Sequence, residues 1–240
     1  MTIFKLLLIC GLTYSVNMLY VYHLNKKYPK NVATQKISSD TVFVFDLHGV
    51  IFKLNPIEVV KEFIKSPNKK QLLSTVFYPK LFIRALYSFY KGEVAEEVVL
   101  NLATKYPELK DVSTTLFNAI NAQEPIKQTI DIIKELKSKG HKLFIFSNIG
   151  EQSINVLKQK FPDVFENFDG ISSTNSKDGY IKKPNPEAFK KHLSQFGHKT
   201  SNLIFIDDKM KNIAAAQSLG ISSILFTSPY ELRRILAGFK

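Results

Sequence analysis

The sequence predicts an α/β protein with a doubly wound parallel sheet, and two observations support this fold class. From residue 41 onward, short apolar runs typical of buried strands alternate with stretches of helical periodicity. This alternation is the pattern of a parallel sheet with helices on its faces. The stretch 56–122 shows helical patterning without a convincing strand and is too long for a simple crossover. We therefore expect a separate helical insert there.

Each predicted element follows from its own pattern. The first strand, 42–46, is a run of β-branched and aromatic residues that ends at Asp46. After the insert, apolar residues at helical spacing predict a helix over 124–139, which Gly140 ends. The same reasoning predicts further strands at 142–147, 168–173, 179–181, 202–207 and 222–226, and further helices at 151–161, 185–196, 209–219 and 228–237.

The N-terminus carries an apolar run that we expect to act as a membrane anchor. The run from Ile3 to Leu24 is long enough to span a bilayer, which takes about 20 residues. Lysines that follow the run indicate, by the positive-inside rule, that the core domain stays in the cytoplasm. A cleaved signal peptide that exports the protein is the alternative. The predicted parts of the chain are the anchor or signal segment 1–24, a linker 25–40, a core formed by 41–55 and 123–240, and the helical insert 56–122.

The composition excludes several classes of function. The chain has a formal net charge of +12, but its lysines are scattered and only three residues are arginine, so we expect no nucleic-acid partner. A single cysteine excludes an intramolecular disulfide and a cysteine-based zinc site. The HExxH and GxxxxGK[ST] motifs do not occur in the sequence, which argues against a zincin and a P-loop NTPase. We expect His141, His192 and His198 to lie on the surface.

Several polar residues stand at, or just past, the carboxyl ends of predicted strands. Because these ends share one edge of a parallel sheet, we expect the side chains to converge there. Three carboxylates in one place would repel one another unless a cation or protons intervened, and Mg²⁺ suits a carboxylate site that also meets phosphate. A hydroxyl, loop N–H groups and an ammonium would then bind the phosphate oxygens. The residues concerned are Asp46, His48, Ser147, Asn148, Lys183, Asp207 and Asp208.

Four short motifs, in this order, resemble those of the haloacid dehalogenase-like hydrolase superfamily over about residues 41–230. They are Asp46-Leu47-His48-Gly49-Val50, Ser147 in Phe-Ser-Asn, Lys183 in Lys-Lys-Pro-Asn-Pro, and Asp207-Asp208. The position of the insert, between the first and second motifs, is similar to the branch of that superfamily with an α-helical cap. The resemblance implies a Rossmann-like core and Mg²⁺-dependent hydrolysis of a small phosphorylated metabolite.

The resemblance also implies a role for each residue of these motifs. Asp46 would attack phosphorus and form an aspartyl-phosphate. Asp46, Asp207 and the backbone carbonyl of His48 would hold the metal, with Asp208 as a ligand or in support. The phosphoryl group would be bound by Ser147 and Lys183, with Asn148 beside them.

One position, His48, departs from the pattern of the superfamily's phosphatases. Those enzymes have an aspartate there that protonates the leaving group and later activates water, a transfer typically worth about 10²–10⁴-fold. Histidine, with an ordinary pKa near 6.5, is able to do the same. Two alternatives therefore stay open: a catalytically impaired relative that keeps the fold for binding or scaffolding, and a phosphotransferase or dehalogenase on the same core. The sequence leaves the substrate and the oligomeric state open.

Overall fold

The computed structural model describes residues 37–76, 96, 99, 103–174, 181–197 and 200–238. The predicted anchor, 1–24, lies outside the described residues, as does most of the predicted linker. In the described parts of the chain, no helix has both the length and the apolar character needed to cross a bilayer.

Five parallel strands form the central sheet, in the order β5-β4-β1-β6-β7. Strand β1 lies in the middle, where Val42 pairs with Lys142 on one side and Leu203 on the other. The predicted parallel α/β sheet is therefore confirmed. The strands are β1 (Val42–Phe45), β2 (Phe52–Leu54), β3 (Gln123–Pro125), β4 (Lys142–Ser147), β5 (Gly170–Ser173), β6 (Leu203–Asp207) and β7 (Ser222–Leu225).

The helices flank the sheet and also fill the described part of the predicted insert. They are α1 (Pro56–Lys65), α2 (Lys69–Val76), α3 (Lys110–Ile120), α4 (Lys127–Ser138), α5 (Glu151–Lys160), α6 (Pro162–Phe165), α7 (Pro186–Ser194), α8 (Met210–Ser218) and α9 (Pro229–Ala237), with short 3₁₀ turns at Pro107–Leu109 and Thr200–Asn202. Helices α1 and α3 pack on each other, and Leu72, Leu109 and Val112 form a small core separate from the two cores of the sheet. The division of the chain into core and cap stays a prediction.

Strand β1 contributes to two hydrophobic cores, because successive side chains of a strand point to opposite faces. Phe43 and Phe45 pack against helices α4, α5 and α9 on one face. Val42 and Val44 pack against α7 and α8 on the other. This two-sided burial explains why the strand is apolar throughout and fixes its carboxyl end between two layers of helices.

One helix boundary and three short strands differ from the sequence-based prediction. The helix expected over 124–139 begins at Lys127, because Gln123–Pro125 pairs antiparallel with Phe52–Leu54. Three-residue strands are too short to show a periodicity, so neither was predicted. Of the strand expected at 179–181, only Ile181 lies within the described residues, and it belongs to no strand.

The surface position predicted for two histidines is wrong. His141 is 7% exposed, its Nδ1 lies 3.0 Å from the carbonyl oxygen of Thr41, and its ring meets Phe43 edge-on. His192 is fully buried, with Nδ1 2.5 Å from the hydroxyl of Ser172. Each imidazole is buried with a backbone or hydroxyl partner at its Nδ1, which offsets the cost of burying a polar ring. His198 lies outside the described residues.

Candidate active site

Asp46 directly follows the central strand β1, at the edge of the sheet where the carboxyl ends of the strands meet. Its backbone N–H donates to the carbonyl oxygen of Ile206 at 2.8 Å, which continues the pairing with β6. The residue is 3% exposed. The carboxylate is therefore held on rigid backbone between two neighbouring strands.

Lys183 brings the ends of three strands together through one buried ammonium group. Its Nζ lies 2.9 Å from Oδ1 of Asp46 and 2.7 Å from Oδ2 of Asp207, and it donates to the carbonyl oxygen of Phe146 at 2.7 Å. The rings of Phe146 and Phe205 lie about 5 Å away. All three N–H donors of the ammonium thus have an acceptor, as a buried charge requires.

Asp207, the last residue of β6, is fully buried and accepts several hydrogen bonds. Nδ2 of Asn212 lies 2.9 Å from both carboxylate oxygens, and the backbone N–H of Lys209 donates to Oδ1 at 2.8 Å. Asn212 lies in the first turn of α8 and is 1% exposed. The start of α8 therefore fixes the orientation of this carboxylate.

Asp208 completes a group of three carboxylates. Ligand oxygens of Asp46, Asp207 and Asp208 lie within 4.8 Å of one another. Oδ1 of Asp208 is buried and has no hydrogen-bond partner among the described residues. Gly49, at φ 83°, faces this side chain, and a Cβ there would lie 2.5 Å from Oδ2 of Asp208. Glycine is required at this turn for its backbone conformation and for space.

The pKa values of the three carboxyl groups differ because the two nearby ammonium groups, those of Lys183 and Lys209, outweigh the effect of burial only at Asp46. Burial would raise the pKa of Asp46, but Lys183 and Lys209 hold it below its ordinary value. Burial raises the pKa of Asp207 despite Lys183, and the charge of Asp46 adds to the rise. Burial likewise raises the pKa of Asp208 to about 7, with Lys209 opposing and the neighbouring aspartates contributing. The cluster therefore carries more negative charge than its surroundings compensate.

Ser147 and Asn148 follow one another at the end of β4. Ser147 is 1% exposed and lines the same pocket as Asp46. The Asn148 amide donates to the carbonyl oxygen of Lys183 at 2.8 Å and accepts from the Lys183 N–H at 2.9 Å. Asn148 was predicted to bind substrate. In the structure its side-chain amide makes two hydrogen bonds to the backbone of Lys183.

His48 lies in the turn after Asp46 and also lines the pocket. Burial lowers the pKa of the imidazole below its ordinary value, and the charge of Lys209 adds to the lowering while that of Asp46 opposes it. His48 is therefore largely neutral near pH 7. A neutral imidazole accepts a proton, but donates one to an alkoxide poorly.

The pocket at this edge of the sheet has a volume of about 140 Å³. It brings together five of the seven residues singled out from the sequence, and the other two, Asp207 and Asp208, each have a carboxylate oxygen within 4.8 Å of one of Asp46. The five are Asp46, His48, Ser147, Asn148 and Lys183. The roles assigned to these residues stay predictions.

Six further polar residues line the pocket without having been assigned a role from the sequence. They are Glu96, Asn121, Gln123, Ser153, Lys209 and Asn212. The sequence could have indicated Lys209 and Asn212 as site residues, because they stand two and five residues after Asp207, around the start of a predicted helix. Glu96 and Gln123 have no such signal in the sequence, since only tertiary contacts bring them to the strand ends.

Curated relatives and solved structures both resemble this chain. The sesquiterpene phosphatase astK of Aspergillus oryzae is 24% identical over 199 residues, which cover 80% of this chain and 95% of that protein. The drimenol cyclase drtB of Aspergillus calidoustus is 28% identical over 155 residues, which cover 62% of this chain but only 28% of that longer protein.

Two solved structures illustrate the shared fold. An L-2-haloacid dehalogenase from Xanthobacter autotrophicus, with chloropropionic acid covalently bound, superposes with a TM-score of 0.55 at 18% identity, covering 77% of this chain and 76% of that one. A predicted hydrolase from Porphyromonas gingivalis gives 0.54 at 23% identity, covering 83% and 98%. These likenesses concern the fold alone.

The match to a family model goes beyond the likeness of folds. The model for haloacid dehalogenase-like hydrolases matches residues 41–220, which contain strands β1, β4, β5 and β6 and the site residues at their carboxyl ends. The protein therefore belongs to the haloacid dehalogenase-like hydrolases and is a hydrolase.

Proposed function

We propose that the protein is a Mg²⁺-dependent hydrolase of phosphate monoesters that acts on a small phosphorylated compound through an aspartyl-phosphate at Asp46. The observation that carries this proposal is the buried ammonium of Lys183, held between the carboxylates of Asp46 and Asp207. This arrangement puts a nucleophile and a cation in one pocket, with an acidic cluster next to the nucleophile. The resemblance to a curated phosphatase supports phosphate as the group removed.

The donor set fits a hard divalent cation. Three carboxylates supply oxygen ligands within 4.8 Å of one another, and Oδ1 of Asp208 has no other partner among the described residues. We infer that Asp46, Asp207, Asp208 and the carbonyl oxygen of His48 would hold Mg²⁺. When bound, Mg²⁺ would offset the excess carboxylate charge and polarise a phosphoryl oxygen.

Each residue of the site would then have its own role in the reaction. A carboxylate oxygen of Asp46 attacks phosphorus, and the bond from phosphorus to the ester oxygen breaks. Ser147 binds a phosphoryl oxygen, and the positive charge of Lys183 stabilises the developing negative charge. Water next attacks the phosphorus of the aspartyl-phosphate, phosphate leaves, and Asp46 is restored. The leaving ester oxygen takes its proton from solvent, and neutral His48 accepts the proton of the attacking water and later releases it to solvent.

A second candidate is a relative that binds phosphorylated ligands without turning them over, or a phosphotransferase or dehalogenase on the same core. The lowered pKa of His48 favours the first of these, because a neutral imidazole is a poor acid for the leaving group.

Turnover of a generic aryl phosphate by the full-length protein separates these candidates. We expect phosphate release that requires Mg²⁺ and stops on chelation, followed by identification of the substrate on a panel of phosphorylated metabolites. A folded protein that binds inorganic phosphate but releases none from any ester would favour the binding role.

We further propose that the apolar run from Ile3 to Leu24 anchors the protein in a membrane with the core in the cytoplasm. Hydrophobic burial is not weakened by salt, so the protein should remain with the membrane fraction at high salt. A protease added outside intact cells should leave the core undigested. Recovery of a shortened protein outside the cytoplasm would favour a cleaved signal peptide instead.

A further inference from the structure

Glu96 belongs to the segment predicted as the insert, yet its side chain reaches the core beside the pocket. It is 4% exposed and lines the same pocket as Asp46. Its carboxylate accepts from the backbone N–H groups of Gln152 at 3.1 Å and Ser153 at 3.2 Å. Both N–H groups lie in the first turn of α5, which begins just after Ser147 and Asn148. Glu96 therefore caps a core helix from 56 residues away.

The structure accommodates this carboxylate closely. Gly150 is the residue immediately before α5, and a Cβ at that position would lie 2.2 Å from Oε2 of Glu96 and 2.5 Å from its Cδ. Any other residue at position 150 would displace the carboxylate. The contact thus depends on a glycine in the core and a glutamate in the insert.

The position occupied by Glu96 is where a second anionic group of a ligand would otherwise bind. The first-turn N–H groups of a helix, together with the helix dipole, favour phosphate or carboxylate. Here the N–H groups of Gln152 and Ser153 are already taken by a fixed carboxylate. Lys209 also lines the pocket, but its positive charge interacts with the three aspartates. A second anion would meet repulsion and find no vacant donor there.

The remaining lining of the pocket is compatible with an uncharged group. Ile120 and Ile149 contribute apolar side chains to the same pocket that Glu96 lines. A neutral leaving group would bury apolar area against them and would leave the carboxylate in its hydrogen bonds. Two independent features, fixed negative charge and apolar lining, thus favour the same class of leaving group.

We propose that Glu96 is a specificity-determining residue that admits phosphate monoesters with an uncharged leaving group and rejects those bearing a second anionic group. This inference rests on the proposed phosphatase function. It assigns a role in substrate selection to the insert, which supplies the discriminating charge.

The experiment compares a linear alkyl phosphate with the corresponding α,ω-bisphosphate. We expect the wild-type protein to have the higher kcat/KM for the alkyl phosphate. Glu96→Gln keeps an oxygen that accepts from the helix but removes the charge, so it should raise the ratio of kcat/KM for bisphosphate to that for alkyl phosphate at least tenfold. Gly150→Ala should shift the ratio in the same direction, because it displaces the carboxylate while Glu96 is unchanged.

The control variant is Glu151→Gln, which removes the same charge from an exposed residue in the first turn of the same helix. It should leave the ratio unchanged. An unchanged ratio in folded Glu96→Gln and Gly150→Ala, or a wild-type preference for the bisphosphate, would overturn the inference.

Binding separates this inference from the proposed function. Calorimetric titration of both esters into Asp46→Asn, with and without Glu96→Gln, measures selectivity without turnover. If the wild type binds both esters but hydrolyses neither, the proposed function is wrong and the binding ratio still decides the role of Glu96. If neither ester binds, both proposals are contradicted.

Discussion

Lys183 shares one positive charge between two buried carboxylates, and the site's electrostatics follow from this. Asp46 keeps a pKa below its ordinary value, whereas the pKa of Asp207 lies above its ordinary value even though Lys183 contacts both. The ionised form is therefore favoured at the proposed nucleophile. At Asp207 and Asp208 the nearby positive charge is too small to offset burial and mutual repulsion, and a bound cation would supply the missing positive charge.

His48 is the residue whose replacement tests the proposed proton transfer. Alanine removes the transferring group, so we expect His48→Ala to lower kcat by about 10²–10⁴-fold. Aspartate restores a carboxyl acid–base group, so His48→Asp should keep or raise the rate. Steady-state phosphate release at saturating aryl phosphate measures both effects.

The two variants show whether histidine at position 48 impairs proton transfer or is suited to it. A large loss in His48→Asp would mean that the imidazole is adapted to this site. An unchanged rate in His48→Ala would contradict any role of the side chain in proton transfer.

One side chain, that of Asp169, links β4 to the end of α4. This residue immediately precedes β5. Its carboxylate accepts from the N–H of Leu143 at 2.9 Å and pairs with Lys137 at 2.7 Å and Lys142 at 3.0 Å. Burial would raise the pKa of Asp169, but these three donors lower it to about 2. The ionised carboxylate therefore stabilises the amino-terminal end of β4.

The lowered pKa predicts how Asp169 contributes to stability as pH changes. The contribution is fully present above the ordinary value near 3.8 and is lost as pH falls through about 2. We expect Asp169→Asn to lower the free energy of unfolding by about 1 kcal/mol at neutral pH, since solvent screens part of the interaction. The difference from wild type should vanish at the acid end of this range.

Urea denaturation across pH measures this effect. Asp131→Asn, an exposed position on α4, is the matched control and should change stability little. Equal stabilities of wild type and Asp169→Asn at neutral pH would show that the contact contributes nothing measurable.

At the scale of the whole molecule, the sequence predicted the sheet well because each strand carries its own signal. Buried strands such as Phe144–Phe146 are continuous apolar runs, and polar residues directly after them mark the site. Contacts made by distant residues leave no such signal. Glu96 reaches α5 across 56 residues, and the burial of His192 depends on Ser172 in another element.

The raised pKa values predict a linkage between Mg²⁺, pH and stability of the whole fold. Without a cation, the protonated form of Asp208 is favoured up to about pH 7, so its ionisation destabilises the folded protein as pH rises towards that value. Mg²⁺ at about 100 times its Kd should add about 2.7 kcal/mol to the free energy of unfolding. Because binding must displace the proton, the affinity should be weaker at about pH 6 than at about pH 8.

Thermal unfolding with and without Mg²⁺ at both pH values tests this linkage, with Asp207→Asn as a variant that should lose most of the Mg²⁺ effect. The absence of any Mg²⁺-dependent change in the wild type would contradict a metal site at these carboxylates.

The most direct test of the central claim is the rate of Mg²⁺-dependent phosphate release from an aryl phosphate by wild type and Asp46→Asn. The amide is nearly isosteric with the carboxylate but is a poor nucleophile. We expect the wild type to release phosphate and Asp46→Asn to be slower by about 10³-fold or more. Release at a similar rate by a folded Asp46→Asn protein would contradict the assignment of Asp46 as the nucleophile.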